Sequence, residues 1–244
     1  MPAQAGASNA GCQDGLMRER RWVVVVPVKR LAAAKTRLRG SVAGVPHERL
    51  VLALAQDTVR GALACPLVAE VVVVTDDPAA AAAVGRLGAR VVPDLPDAGL
   101  NAAIGYGAAA TARPDQGVAA TARPDRGVAA VTADLPALRP AELAAALRAV
   151  SGRSFVPDAA GTGTTLLAAP PGTDLDPRFG PDSAARHAAS GARRLDGDWP
   201  SLRRDVDTGA DLARAAVLGL GPHTAAVFPV DHELMGRHAG RVRP

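Results

Sequence analysis

Asp134 lies in Thr132-Ala133-Asp134-Leu135-Pro136, at the end of an apolar run and just before a proline. Proline cannot extend a β ladder, so a strand ends there and the carboxylate is held at the sheet's edge. A carboxylate so placed suits a magnesium ion that arrives with a nucleotide, because that ion takes one or two carboxylates plus phosphate oxygens. Asp134 could equally cap the turn that follows. Asp205 and Asp207 are two apart in Asp205-Val206-Asp207-Thr208. In an extended segment residues i and i+2 point the same way, so both could face one metal ion. Asp207-Thr208 also suits a helix cap, and the two roles are compatible.

Opposite charge is concentrated near the start of the chain. Of 28 basic residues only Lys29 and Lys35 are lysine. Both fall in VPVKRLAAAKTRL, Val26–Leu38, with Arg30, Arg37 and Arg39 close by. A lysine supplies a compact point charge where arginine supplies a planar fork. A basic loop leaving a buried strand is well placed for a polyphosphate, since open α/β sheets bind ligands outside the carboxyl ends of their strands. It is neither a P-loop nor a GxGxxG turn, and a merely solvated basic loop remains the plain alternative.

A third grouping is uncharged. Gly161-Thr162-Gly163-Thr164-Thr165 and Arg178-Phe179-Gly180-Pro181-Asp182-Ser183 offer hydroxyls and glycines that let backbone approach an anion. The GTGTT stretch could also be a hairpin turn. No Ser-His-Asp or Cys-His pattern stands out. His187 is expected to pack or point outward rather than serve as a base.

These groups need a scaffold, and hydrophobic patterning supplies one. Trp22–Val28 and Glu70–Thr75 are continuous β-branched runs, the mark of strands buried on both faces. Between them, Val51, Leu54, Ala55, Val59, Ala62 and Leu63 recur at helical spacing. Shorter strands are expected at Arg90–Pro93, Val128–Thr132, Ser154–Pro157 and Thr164–Ala169. Helices are expected over Asn101–Ala110, Pro140–Val150, Asp182–Ser190 and Leu212–Leu218, the last opened by Thr208 with Asp211 three residues on. Strands alternating with helices predict βαβ units and a mostly parallel sheet. ATARPDQGVA at 110–119 is followed by ATARPDRGVA at 120–129, a tandem decapeptide that reads as a loop insertion.

Composition excludes several classes. The chain has 244 residues and is 48% apolar but only 2% aromatic, so its core must be aliphatic. A net charge of +4 could indicate nucleic acid, but the arginines are scattered and stacking aromatics are nearly absent. Small polyphosphates use a basic cleft equally well. Two cysteines, Cys12 and Cys65, form no disulfide framework. The first 20 residues lack an apolar signal region, and no run of about 18 apolar residues exists, so neither secretion nor a membrane span is expected. The expected location is the cytoplasm. Residues 1–20 are expected to be a disordered tail, with Met17 a second possible start, 21–221 a single domain, and 222–244 a loosely ordered tail.

Taken together, VPVK…AKTRL, GLNAA at 99–103, ADLPAL at 133–138, GTGT…DPRFGPDSAARH and DVDT…ADL resemble the guanylyltransferases of coenzyme F-420 biosynthesis. These use phosphoenolpyruvate or 2-phospho-L-lactate, and DPRFG-PDS is most similar to the phosphoenolpyruvate branch. The resemblance implies a nucleotidyltransferase-type, Rossmann-like three-layer α/β/α sandwich and transfer of GMP from GTP with Mg²⁺. It implies Asp134, Asp205 and Asp207 as metal ligands, with Asp134, Lys29 and Lys35 in catalysis. It further implies Thr164, Gly180 and Ser183 on phosphoenolpyruvate, Lys29, Lys35 and Arg37 on the nucleotide phosphates, and Gly99 and Asn101 at base or ribose. No nucleic-acid or membrane partner is implied. Two rivals are a molybdopterin or sugar-phosphate nucleotidyltransferase, which would carry a glycine-rich loop after the first strand, and a non-enzymatic nucleotide-binding regulator.

Overall fold

The computed structural model describes residues 22–111 and 126–228. The expectations for residues 1–20, for Cys12 and Met17, for 112–125 of the tandem decapeptide and for 229–244 of the C-terminal tail lie outside the described residues.

β1 (Trp22–Pro27) contains four consecutive valines, and all six of its residues are buried. Stiff β-branched side chains fit a pleated surface that is covered on both sides. β2 (Val68–Val74) and β4 (Gly127–Val131) flank β1 in parallel, and β3 (Arg90–Val92) pairs in parallel with β2. β6 (Thr164–Ala169) runs antiparallel to both β4 and β5 (Ser154–Pro157), while β7 (Arg193–Arg194) lies parallel to β5. The order is β3-β2-β1-β4-β6-β5-β7. From β1 the chain moves outward to β3 and then returns to β4 on the other side of β1. That reversal opens a crevice at the carboxyl ends of β1 and β4.

The helices are α1 (His47–Leu63), α2 (Pro78–Arg86), α3 (Leu100–Thr111), α4 (Pro140–Arg148), α5 (Ser183–Ala189), α6 (Pro200–Arg203), α7 (Gly209–Leu218) and α8 (Pro222–Val227). One face of the sheet packs Val24, Val26 and Val73 against Val59 of α1, Val84 of α2, Leu147 of α4 and Leu202 of α6. The other face sets Val25 and Val74 against Ala103 of α3, and Phe155 and Leu167 against Ile104 of α3 and Ala184 of α5. The result is the three-layer α/β/α arrangement. α3 lies close to the sheet because of Gly107, where an added Cβ would stand 2.6 Å from Val74 and 2.7 Å from Val25. No helix among the described residues is long and apolar enough to cross a membrane.

One expectation is corrected. Residues 222–227, placed in a loose tail, form α8. Asp57 of α1, only 4% exposed, accepts hydrogen bonds from the His223 N–H at 3.1 Å and the Thr224 N–H at 2.7 Å. Val227 then joins Leu50, Leu54 and Leu212 in a buried cluster. The cap lies more than 160 positions away in sequence, so no local pattern announces it. α7, by contrast, opens on the expected capping box, with the side chains of Thr208 and Asp211 each accepting the other's backbone N–H.

Candidate active site

The crevice between β1 and β4 is a cleft of about 600 Å³, and Lys29, Lys35, Arg37, Thr132, Asp134 and Asp207 all line it. Hydrogen bonds and buried anchors bring the charged residues there. Beyond β1, the Leu31 N–H donates to Asp77 Oδ2 at 3.0 Å, and buried Leu31 pins the loop. His47 Nε2 meets the Ala34 carbonyl at 2.7 Å. Lys35 follows in the left-handed region, at φ 51°, and opens the 3₁₀ turn Thr36–Leu38, which buried Leu38 anchors. That conformation costs an ordinary residue roughly 1–2 kcal/mol, and strain of this kind collects at functional sites. It aims the ammonium at Asp134 and Asp207, and Lys35 forms an ion pair with each.

Asp134 is held from two sides. Thr58 Oγ1 of α1 accepts the Leu135 N–H at 2.9 Å, and the Asp134 carbonyl accepts the Val206 N–H at 3.0 Å. The second bond ties the Asp205–Asp207 segment to the end of β4. Burial works against the Lys35 charge, but the two carboxylates outweigh it and hold its pKa above the ordinary value. Asp205 has the opposite problem. Burial, then the negative charge of Asp134, Asp158 and Asp207, pushes its carboxyl up to about 7, with Lys35 pulling the other way.

Asp205 is therefore close enough to feel the cluster, but it does not line the cleft. Among the described residues no three His, Cys, Asp or Glu side chains converge tightly enough to hold a metal ion. Of the three aspartates expected as ligands, Asp134 and Asp207 line the cleft and share the Lys35 ammonium, and Asp205 lies behind them. A further observation suits a hard cation at the pair: Asp134 Oδ1 is buried and accepts no hydrogen bond.

The uncharged grouping assembles beside the cleft. Pro181 lines the cleft, whereas Thr164, Gly180 and Ser183 do not. The Ser183 N–H donates to the Gly180 carbonyl and the Ala184 N–H to the Thr162 carbonyl, which joins the β5–β6 turn to the start of α5. Thr164 Oγ1 is 2.9 Å from His187 Nδ1. Gly180 has φ 119°, a conformation open chiefly to glycine.

Asn101, expected at base or ribose, bonds the backbone of the loop before α5. Its carbonyl accepts the Phe179 N–H at 2.7 Å, and its amide donates to the Phe179 carbonyl at 3.1 Å. Both ends of the side chain are spent on the Arg178-Phe179-Gly180 loop. Gly99 lines a second cavity of about 210 Å³, which Lys29 also lines together with Asp76 and Asp94. Sequence patterning singled out neither of these carboxylates, nor Asp158, because each stands in an ordinary loop. His187 packs inward, one of the two placements expected of it. It is fully buried and edge-on to Phe179, with ring centroids 5.1 Å apart.

No family model matches the chain. Curated relatives are close. The chain is 62% identical over 220 residues to a phosphoenolpyruvate guanylyltransferase of Salinispora arenicola, covering 88% of this chain and 97% of that protein. It is 56% identical over 211 residues to the enzyme of that name in Streptomyces coelicolor, covering 84% and 95%. Solved structures agree on the fold alone. A nucleotidyl transferase from Methanothermobacter thermautotroptrophicus has TM-score 0.51 at 19% identity, covering 80% of this chain and 95% of that one. A cytidylyltransferase from Leptospira borgpetersenii has TM-score 0.51 at 13% identity, covering 92% and 99%.

Proposed function

Because the chain belongs to the phosphoenolpyruvate guanylyltransferase family, we propose that it transfers GMP from GTP to phosphoenolpyruvate in coenzyme F-420 biosynthesis, in the cytoplasm. A phosphate oxygen of the acid attacks the α-phosphorus of GTP. A new P–O bond forms there while the bond to the β-phosphate breaks, and its electron pair leaves with pyrophosphate. The product is enolpyruvyl-diphospho-guanosine. The alternative acid, 2-phospho-L-lactate, differs only in having the C2–C3 double bond saturated.

The observation that carries this reading is the meeting of Lys35, Asp134 and Asp207 in one basic-lipped cleft. A phosphate dianion is already a nucleophile near neutral pH, so the chain has no proton to remove. What it must overcome is repulsion between two polyanions, by charge and by position. Lys29, Lys35 and Arg37 hold the triphosphate. Enzymes on this fold generally use a divalent metal, and here Asp134 and Asp207, backed by Asp205, would hold Mg²⁺. The chemistry such an ion supplies is neutralisation of phosphate charge. Thr164, Gly180 and Ser183 give the acid uncharged donors, and Gly99 stands at the nucleoside end.

Pyrophosphate release should be followed with GTP, Mg²⁺ and each acid in turn, and the products weighed by mass spectrometry. Release with phosphoenolpyruvate, together with the mass of its guanylyl diphosphate, supports the reading. No release with either acid from folded protein refutes it.

A further inference from the structure

We propose that His187 is a positioning residue that fixes the polarity of the Thr164 hydroxyl and leaves its O–H as a committed donor to the acid substrate. This rests on the reading above that Thr164 faces that acid.

The deduction follows from which groups can donate. His187 Nε2 is 3.0 Å from the Arg178 backbone N–H. A backbone N–H can only donate, so Nε2 must carry the lone pair. A neutral imidazole has one N–H, which therefore sits on Nδ1. That proton points to Thr164 Oγ1 at 2.9 Å, so the threonine oxygen accepts. The hydroxyl proton is left unspent on a residue only 5% exposed. A carboxylate or phosphate oxygen would satisfy it. The donor adds no positive charge beside a cleft already lined by Lys29, Lys35 and Arg37.

The ring has little freedom to adopt another arrangement. It is fully buried, with the Phe155 and Phe179 rings at 5.7 and 5.1 Å. Protonation would make both nitrogens donors and set Nε2 against the Arg178 N–H. Burial, with Arg186 and Arg153 nearby, lowers its pKa to about 4, so the neutral form holds at physiological pH. Arg178 also opposes the charge, and Asp176 alone favours it.

Steady-state KM values for phosphoenolpyruvate and GTP should be measured for Thr164→Val, His187→Leu, His187→Asn and the Thr164→Val/His187→Leu double variant. Losing a hydrogen bond to a charged group should raise the acid KM about 10- to 100-fold in Thr164→Val. His187→Leu should raise it in the same direction with the GTP KM unchanged. His187→Asn, whose amide can reach the Nδ1 position, should recover part of the loss and serves as the test variant if His187→Leu does not fold. The double variant should be no worse than Thr164→Val alone. Multiplying losses in the double variant, or a His187 effect shared equally by GTP, would overturn the inference. An unchanged acid KM in Thr164→Val would instead strike the reading of the acid site on which it rests.

Discussion

Lys35 is the residue on which the charge balance of the site turns. Its ammonium lies between Asp134 and Asp207, and its left-handed backbone exists to put it there. Without it, two carboxylates face each other without a cation. The melting temperature of Lys35→Met in metal-free buffer should therefore fall below wild type, and Mg²⁺ should raise it by more than it raises wild type. An equal response to Mg²⁺ would mean that ammonium and metal do not share these carboxylates. His187 sets a different dependence. Its pKa is lowered by burial to about 4, against an ordinary 6.5. The unfolded chain therefore binds the proton first as pH falls. The stability linked to the neutral ring is complete above about pH 6.5 and is lost progressively towards pH 4, by about 3 kcal/mol at most. Urea midpoints measured across that window should fall more steeply in wild type than in His187→Asn. Parallel slopes would contradict the assignment.

At the scale of elements, the devices that hold the site are local in some places and distant in others. The strands at Ser154–Pro157 and Thr164–Ala169 and the capping box at Thr208 were legible because their signals lie within a few residues. α8 was not legible, because its cap is Asp57 on α1. Asp57→Ala should leave the His223 and Thr224 N–H groups without acceptors and cost about 1–3 kcal/mol in urea denaturation. A loss below about 0.5 kcal/mol would show that α8 does not depend on that carboxylate. Gly107 is another distant constraint. Gly107→Ala places a methyl against Val25 and Val74, which must push α3 outward. A cost of about 1–3 kcal/mol is expected, and unchanged stability would mean that α3 has room to spare. Asn101 teaches the same lesson. GLNAA was recognisable as a motif, but only the fold shows that the amide grips the Phe179 backbone, 78 positions away.

Across the whole molecule, the parallel sheet was readable from its valine runs, since only strands covered on both faces tolerate such apolar continuity. The site was readable in its residue types but not in its mutual geometry. Nothing local says that Asp207 reaches the Lys35 ammonium while Asp205, two residues earlier, stays behind the cluster. That split follows from the Val206 N–H bonding to the Asp134 carbonyl, a contact 72 positions apart that only the folded chain makes. The strand order then places the whole assembly at the reversal between β1 and β4, where α/β sheets bind their ligands.

If GMP moves from GTP to the acid in this cleft, the paired carboxylates must be charged, and Asp134→Asn keeps their shape while removing one charge. With GTP, phosphoenolpyruvate and saturating Mg²⁺, the mass-resolved rate of guanylyl product should fall at least about 100-fold while the protein remains folded by circular dichroism. A folded Asp134→Asn protein that forms product at the wild-type rate would show that the transfer does not depend on this carboxylate.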